Sequence, residues 1–255
     1  MALFLKSIWG ANDLSNDWQI FEHERLCQFY ALGNMKTFAY KMTLDHQMLR
    51  FLDNNLNKKG QPNENYAREF LELFTILKGE QIGGGNYTNY TEEDIAETAR
   101  VLTGFTTSNF ANKDPDTGLS TGRALFNNHD IGNKQFSDAF QNQIILGATS
   151  QADMFRELQD FVDMVFNQKE TARAYVRRLY QFFIHDIITK EIESDIIQPL
   201  ADQFYNNGYE LKPIMEILLK SKHFYDEDDS DNSDNIIGGK IKSPLDLLFQ
   251  AANQM

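Results

Sequence analysis

Residues 63–79 read NENYAREFLELFTILKG, and the spacing of their apolar side chains decides the fold class. With Tyr66 at the origin and about 100° per residue, Phe70, Leu73, Phe74 and Leu77 fall within about 80° of it. Glu64, Arg68 and Glu72 recur at four-residue steps on the opposite side. This predicts an amphipathic helix over 63–78, with Pro62 and Asn63 at its start and Gly79 closing it. A glycine loop, EQIGGGNYTNY (80–90), separates it from TEEDIAETARVLTG (91–104). Thr91, with Asp94 three residues on, predicts a capped helix start. Ile95, Ala99 and Leu102 would line its core face, and Glu93, Glu97 and Arg100 the opposite one.

Helical spacing continues on both sides. Over 17–32 the apolar positions are Ile20, Phe21, Leu26, Phe29 and Tyr30, ended by Gly33 and Asn34. Further helices are predicted to about 41, over 44–54, and over 150–167, 169–187, 189–207 and 210–224, with Gly208 stopping the third of these. Residues 105–149 differ, being rich in Asn, Asp, Gly and Thr, with strand-like runs at 123–126 and 143–146. They predict a long ordered excursion carrying a small β-hairpin. The run DEDDSDNSDN (226–235) reads as an acidic mobile loop. After it, Ser243 and Pro244 begin another amphipathic helix. The expectation is a mainly α chain, a compact multi-helix bundle forming one domain over 1–255.

Composition removes several functions. The net charge is 24 − 37 = −13, which argues against nucleic-acid binding by phosphate neutralisation. A single cysteine, Cys27, excludes an intramolecular disulfide and a cysteine zinc cluster. No run approaches the roughly 20 apolar residues of a transmembrane helix. The opening MALFLKSIWGANDLS lacks the apolar core of about 7–15 residues that a secretory signal needs.

Three side-chain sets could carry chemistry. Glu64, Arg68, Glu69 and Glu72 on one helix, with Glu93, Glu97 and Arg100 on the next, could hold a metal or supply acid and base. The interleaved arginines favour an ion-pair network that clamps the two helices, since a cation competes with a metal for the same oxygens. His129-Asp130 is a metal-ligand pair by composition, but its setting, NNHDIGN, is turn-forming. Asp53, Asn55, Asn57 and Glu64 occupy positions 1, 3, 5 and 12 of a calcium-loop pattern, although Lys58 stands where glycine belongs. Gly83, Gly84 and Gly85 precede a helix start crowded by acids, which disfavours phosphate. No nucleophile elbow is present, and Cys27 on an amphipathic helix predicts a buried, inert thiol. Arg173, Arg177 and Arg178 form one basic face, expected to pair with the acidic helices.

The two signature helices closely resemble the paired motif of a bacterial family, domain of unknown function 1800. MLRFLDNN (48–55), NNHDIGNKQF…ILG (127–147), ETARAYVRRLYQFFI (170–184), LLKSKHF (218–224) and IKSPLDLL (241–248) resemble its other segments, so the likeness covers roughly 30–250. The resemblance implies a mostly helical fold in exported or envelope-associated proteins and no assigned reaction. Members usually extend further on both sides, which leads to the expectation of a truncated chain. The leading reading is a non-catalytic binding or scaffolding module with a protein partner still to be identified and no cofactor. Its rivals are a metal-dependent hydrolase using Glu69, Glu72, Glu97, His129 and Asp130, and a domain stabilised by calcium at Asp53 and Glu64.

Overall fold

The computed structural model describes residues 1–11, 16–108 and 112–225. The acidic run at 226–235 and the helix expected from Ser243 lie outside them. Helix α1 (Ala2–Trp9) buries Phe4, Leu5 and Trp9, and Trp9 stacks on Phe74 at 4.4 Å. Helix α2 (Asp17–Phe29) starts where the Asn16 side chain accepts the N–H groups of Trp18 and Gln19. Helices α3 (Met35–Thr43) and α4 (His46–Phe51) are capped in the same way by Asn34 and Asp45. These side-chain oxygens satisfy donors that the first helical turn leaves open.

The face of α2 differs from the expected one. Phe21 and Phe29 are half exposed, whereas Glu22, His23, Leu26 and Cys27 are buried. The buried polar groups have partners: Glu22 accepts from Ser120, and His23 Nδ1 meets Asp45 at 2.9 Å. Periodicity in apolar residues alone does not register such pairings.

The decisive stretch is also shorter than its spacing predicts. Helix α5 (Asn65–Glu69) widens into a π turn at Phe70–Phe74 and stops there. Thr75 Oγ1 donates to the Phe70 carbonyl at 2.6 Å, and Leu77 N donates to the Leu71 carbonyl at 2.9 Å. Both bonds span more residues than an α turn, so the chain leaves the helical path four residues before 78. The glycine loop is a hairpin, β1 (Gln81–Gly83) with β2 (Asn86–Tyr87). Helix α6 (Glu92–Val101) carries the capping box formed by Thr91 and Asp94.

The excursion holds two hairpins rather than one. Strand β3 (Phe105–Thr106) pairs with β4 (Arg123–Ala124), and β5 (Lys134–Gln135) with β6 (Ile144–Ile145), both antiparallel. The two strand-like runs therefore pair with other segments and not with each other. Phe105, Ala124, Phe136, Phe140 and Ile145 anchor this region in the core, with Phe136 against Phe161 at 6.1 Å.

Helices α7 (Gln151–Phe166) and α8 (Lys169–Phe183) follow. The next helical segment comprises α9 (Lys190–Ile192), a π turn at Glu193–Ile197 and α10 (Gln198–Asn206); α11 (Leu211–Lys220) is the last described helix. Buried side chains from α1 to α11 form one hydrophobic cluster. The protein is mainly α with small two-stranded hairpins. Among the described residues no helix is long and apolar enough to cross a membrane.

Candidate functional site

The charged residues of the two signature helices divide into two clusters. In the first, Arg68 donates through Nη1 and Nη2 to Glu92 at 2.9 and 2.8 Å. Glu64 and Glu72 flank it at 3.4 and 3.8 Å. Glu72 also accepts the Tyr90 hydroxyl at 2.7 Å and pairs with Lys78 at 3.2 Å. Arg68 holds the Glu92 carboxyl below the usual carboxylate range. Glu69 stands apart: its Oε2 is buried with no hydrogen-bond partner, and burial, reinforced by Glu72, pushes its carboxyl up. Glu93 is exposed.

The second cluster joins α6 to the excursion. Arg100 binds Asp130 through Nε and Nη2, at 3.0 and 3.1 Å, and Glu97 through Nη1, at 2.8 Å. Asp130 is accordingly held below its usual range. One turn on, Thr103 Oγ1 accepts the Asp130 N–H at 2.8 Å. At the start of the same helix, Asp94 accepts from Ser137 N and Oγ, both at 2.7 Å. Glu97 and Arg100 thus face residues 130–137 instead of meeting Glu64, Arg68, Glu69 and Glu72 in one network, as the sequence pattern leads one to expect.

His129 is fully enclosed. Its Nδ1 lies 2.8 Å from the Thr103 carbonyl, and its Nε2 lies 3.1 Å from Glu157 Oε2. Glu157, itself without exposed surface, accepts the Ala148 N–H at 2.8 Å. Its other oxygen contacts the ammonium of Lys134, which also donates to the Asp130 carbonyl and is equally sealed. A buried trio of His129, Glu157 and Lys134 results. The side chains of His129 and Asp130 therefore point to different partners and do not converge as a ligand pair.

In the expected calcium loop, Asn57 and Glu64 turn to protein partners. Asp53 takes a left-handed backbone, φ 56°. Asn57 Nδ2 donates to Asn54 Oδ1 and to the Ala99 carbonyl, and its Oδ1 accepts the Asn63 N–H. Asn55 Oδ1 is buried with no hydrogen-bond partner, and Glu64 turns to Arg68. Among the described residues no group of three or more His, Cys, Asp or Glu side chains is arranged to hold a metal ion. Burial pushes the Cys27 thiol up to about 12, far from nucleophilic reactivity.

The model of the family described as "Protein of unknown function (DUF1800)" matches residues 1–255. The chain belongs to the DUF1800 family. No curated protein and no solved structure matches it. The family match extends beyond the 30–250 stretch in which the sequence motifs are recognisable.

In this DUF1800 chain several site residues escape sequence reasoning. Glu157 had a readable signal, because it interrupts the apolar stripe of Met154, Leu158 and Phe161 on α7. Lys134 had none. The basic face of α8 also departs from expectation. Arg173 pairs with Glu170, and Arg177 with Glu193 at 2.9 Å through Nε. Arg178 pairs with no acid among the described residues and donates to the Leu73 carbonyl.

Proposed function

We propose that this DUF1800 chain is a non-catalytic helical module that acts by binding or scaffolding, in an exported or envelope setting. The observation that supports it most is the state of His129. The imidazole that a hydrolytic centre would need is sealed inside the fold and engaged at both ring nitrogens by Glu157 and Thr103. Its neighbour Asp130 is committed to Arg100. Glu72 and Glu97 are likewise committed, to Tyr90 and Lys78 and to Arg100. Charges arranged in this way hold helices and loops in register, and the acidic surface suits a partner with basic patches.

Metal analysis of protein purified without chelator tests the reading. The expected content of zinc, manganese, iron and calcium is far below one ion per chain, and unchanged in Glu72→Ala. A stoichiometric metal that Glu72→Ala or His129→Asn removes would overturn the proposal and favour the hydrolase.

A further inference from the structure

A cleft of about 380 Å³ opens between α1, the π turn after α5 and the C-terminal half of α8. Phe4, Ile8, Leu73 and Phe182 supply apolar walls, and Ser7, Arg178 and Gln181 are the polar members of its lining. The volume lies within the range of small-molecule sites, roughly 300–1,000 Å³.

Arg178 is the unusual component. One of its nitrogens donates to the Leu73 carbonyl, while Nη1 is buried with no hydrogen-bond partner. Its neighbours on α8, Arg173 and Arg177, each hold a glutamate. Arg178 alone of the three has no acidic partner among the described residues. Burial pushes the guanidinium down, yet an arginine does not give up its proton in a protein. Arg178 is half-buried, and a partly desolvated cation with no acid beside it among the described residues is costly. The backbone beneath it is also out of the ordinary. The carbonyl that Arg178 uses belongs to the π turn, and Leu77, just beyond, holds φ at 63°. Widened turns and left-handed non-glycine residues concentrate at functional sites.

We infer that the cleft binds a small organic carboxylate with an apolar body, whose anionic end neutralises Arg178 and whose body lies against Phe4, Ile8, Leu73 and Phe182. The lining contains a single cation, which fits a monoanion better than a phosphate ester. This inference does not rest on the non-catalytic reading.

Calorimetric titration of the full chain with octanoate, 1-octanol and inorganic phosphate tests it. Octanoate is expected to bind at one site, octanol about tenfold or more weakly, as befits loss of a charge-assisted hydrogen bond, and phosphate not at all. Arg178→Met should lower octanoate affinity by a similar factor and leave octanol unchanged. Its melting temperature should not fall, because the uncompensated charge is gone. Ile8→Trp, which keeps Arg178 and fills the cleft, should abolish octanoate binding and serves if Arg178→Met does not fold. Equal affinity for octanoate and octanol, no octanoate binding, or octanoate binding that survives Ile8→Trp would overturn the inference.

Discussion

Replacing Glu157 by glutamine keeps the shape of the side chain but removes its charge and turns one of its two acceptors, the one facing Lys134, into a donor. The amide oxygen can still accept the Ala148 N–H, now 2.8 Å from Oε2, and the side-chain volume is nearly the same. The change falls on Lys134, whose ammonium is fully buried against Glu157 Oε1. Removing one partner of a buried pair destabilises by about 3–5 kcal/mol. Lys134 keeps its bond to the Asp130 carbonyl, which places Glu157→Gln near about 3 kcal/mol. At about 2–4 °C per kcal/mol for a domain of this size, the melting temperature should fall by about 6–12 °C.

Urea unfolding followed by circular dichroism measures the loss, and a cycle with Lys134→Met isolates its cause. The double variant carries no buried ammonium, so its loss should be smaller than the sum of the two singles by about 2 kcal/mol. A loss below about 1 kcal/mol for Glu157→Gln, or additivity within about 0.5 kcal/mol, would refute the reasoning. Either result would mean that water or movement already screens the trio.

Two further outcomes follow from the packing. A Cβ on Gly147 would meet the Ile131 carbonyl oxygen at 2.1 Å and that of Gly132 at 2.8 Å; Gly147→Ala should cost about 3 kcal/mol, the upper end for overpacking, against about 1 kcal/mol for Gly60→Ala, whose Cβ would meet nothing and whose cost is the left-handed backbone alone; equal losses in thermal melts would contradict this. For His23, burial pushes the imidazole down, but the charge and hydrogen bond of Asp45 outweigh it, and the net shift is upward. A raised folded value means that the stabilisation is complete below about pH 6.5 and is lost as pH rises through the folded value. The stability gap between the native chain and His23→Asn should therefore shrink with rising pH, no faster than about 1.4 kcal/mol per pH unit, and a gap that widened would reverse the assignment.

Helix positions were legible because apolar spacing and caps are local. Thr91 with Asp94 marks the start of α6 in sequence and in structure alike. The end of α5 was not legible, because the bonds that widen it, Thr75 to Phe70 and Leu77 to Leu71, involve residues that suit an ordinary helix equally well. The same limit applies to partners. Arg68 and Arg100 could be recognised as clamps, but nothing local says that Arg68 chooses Glu92, or that Arg100 chooses Asp130 thirty residues away. The runs at 123–126 and 143–146 read as strand-like in sequence, but their partners, Phe105–Thr106 and Lys134–Gln135, are a long-range choice that local spacing does not reveal. Lys134 shows the limit most plainly, since a lysine between Asn133 and Gln135 reads as solvent-facing and instead is a sealed member of a buried trio.

The polar face of α6 now has a physical rationale independent of any reaction. An irregular segment as long as 105–149 cannot satisfy its backbone through its own short ladders, and buried N–H groups without partners are costly. Asp94, Glu97 and Thr103 each accept a backbone N–H from it, at Ser137, Gln135 and Asp130. Arg100 grips the Asp130 side chain between the last two. Steps of three residues keep each position within about 60° of the next, so α6 and the turn just past Val101 present a slanting row of fasteners to the segment beside them. A metal or a substrate taken up by Glu97 would have to displace the Arg100 guanidinium and release Gln135. The chemistry that these carboxylates can offer is therefore coupled to unfastening the excursion.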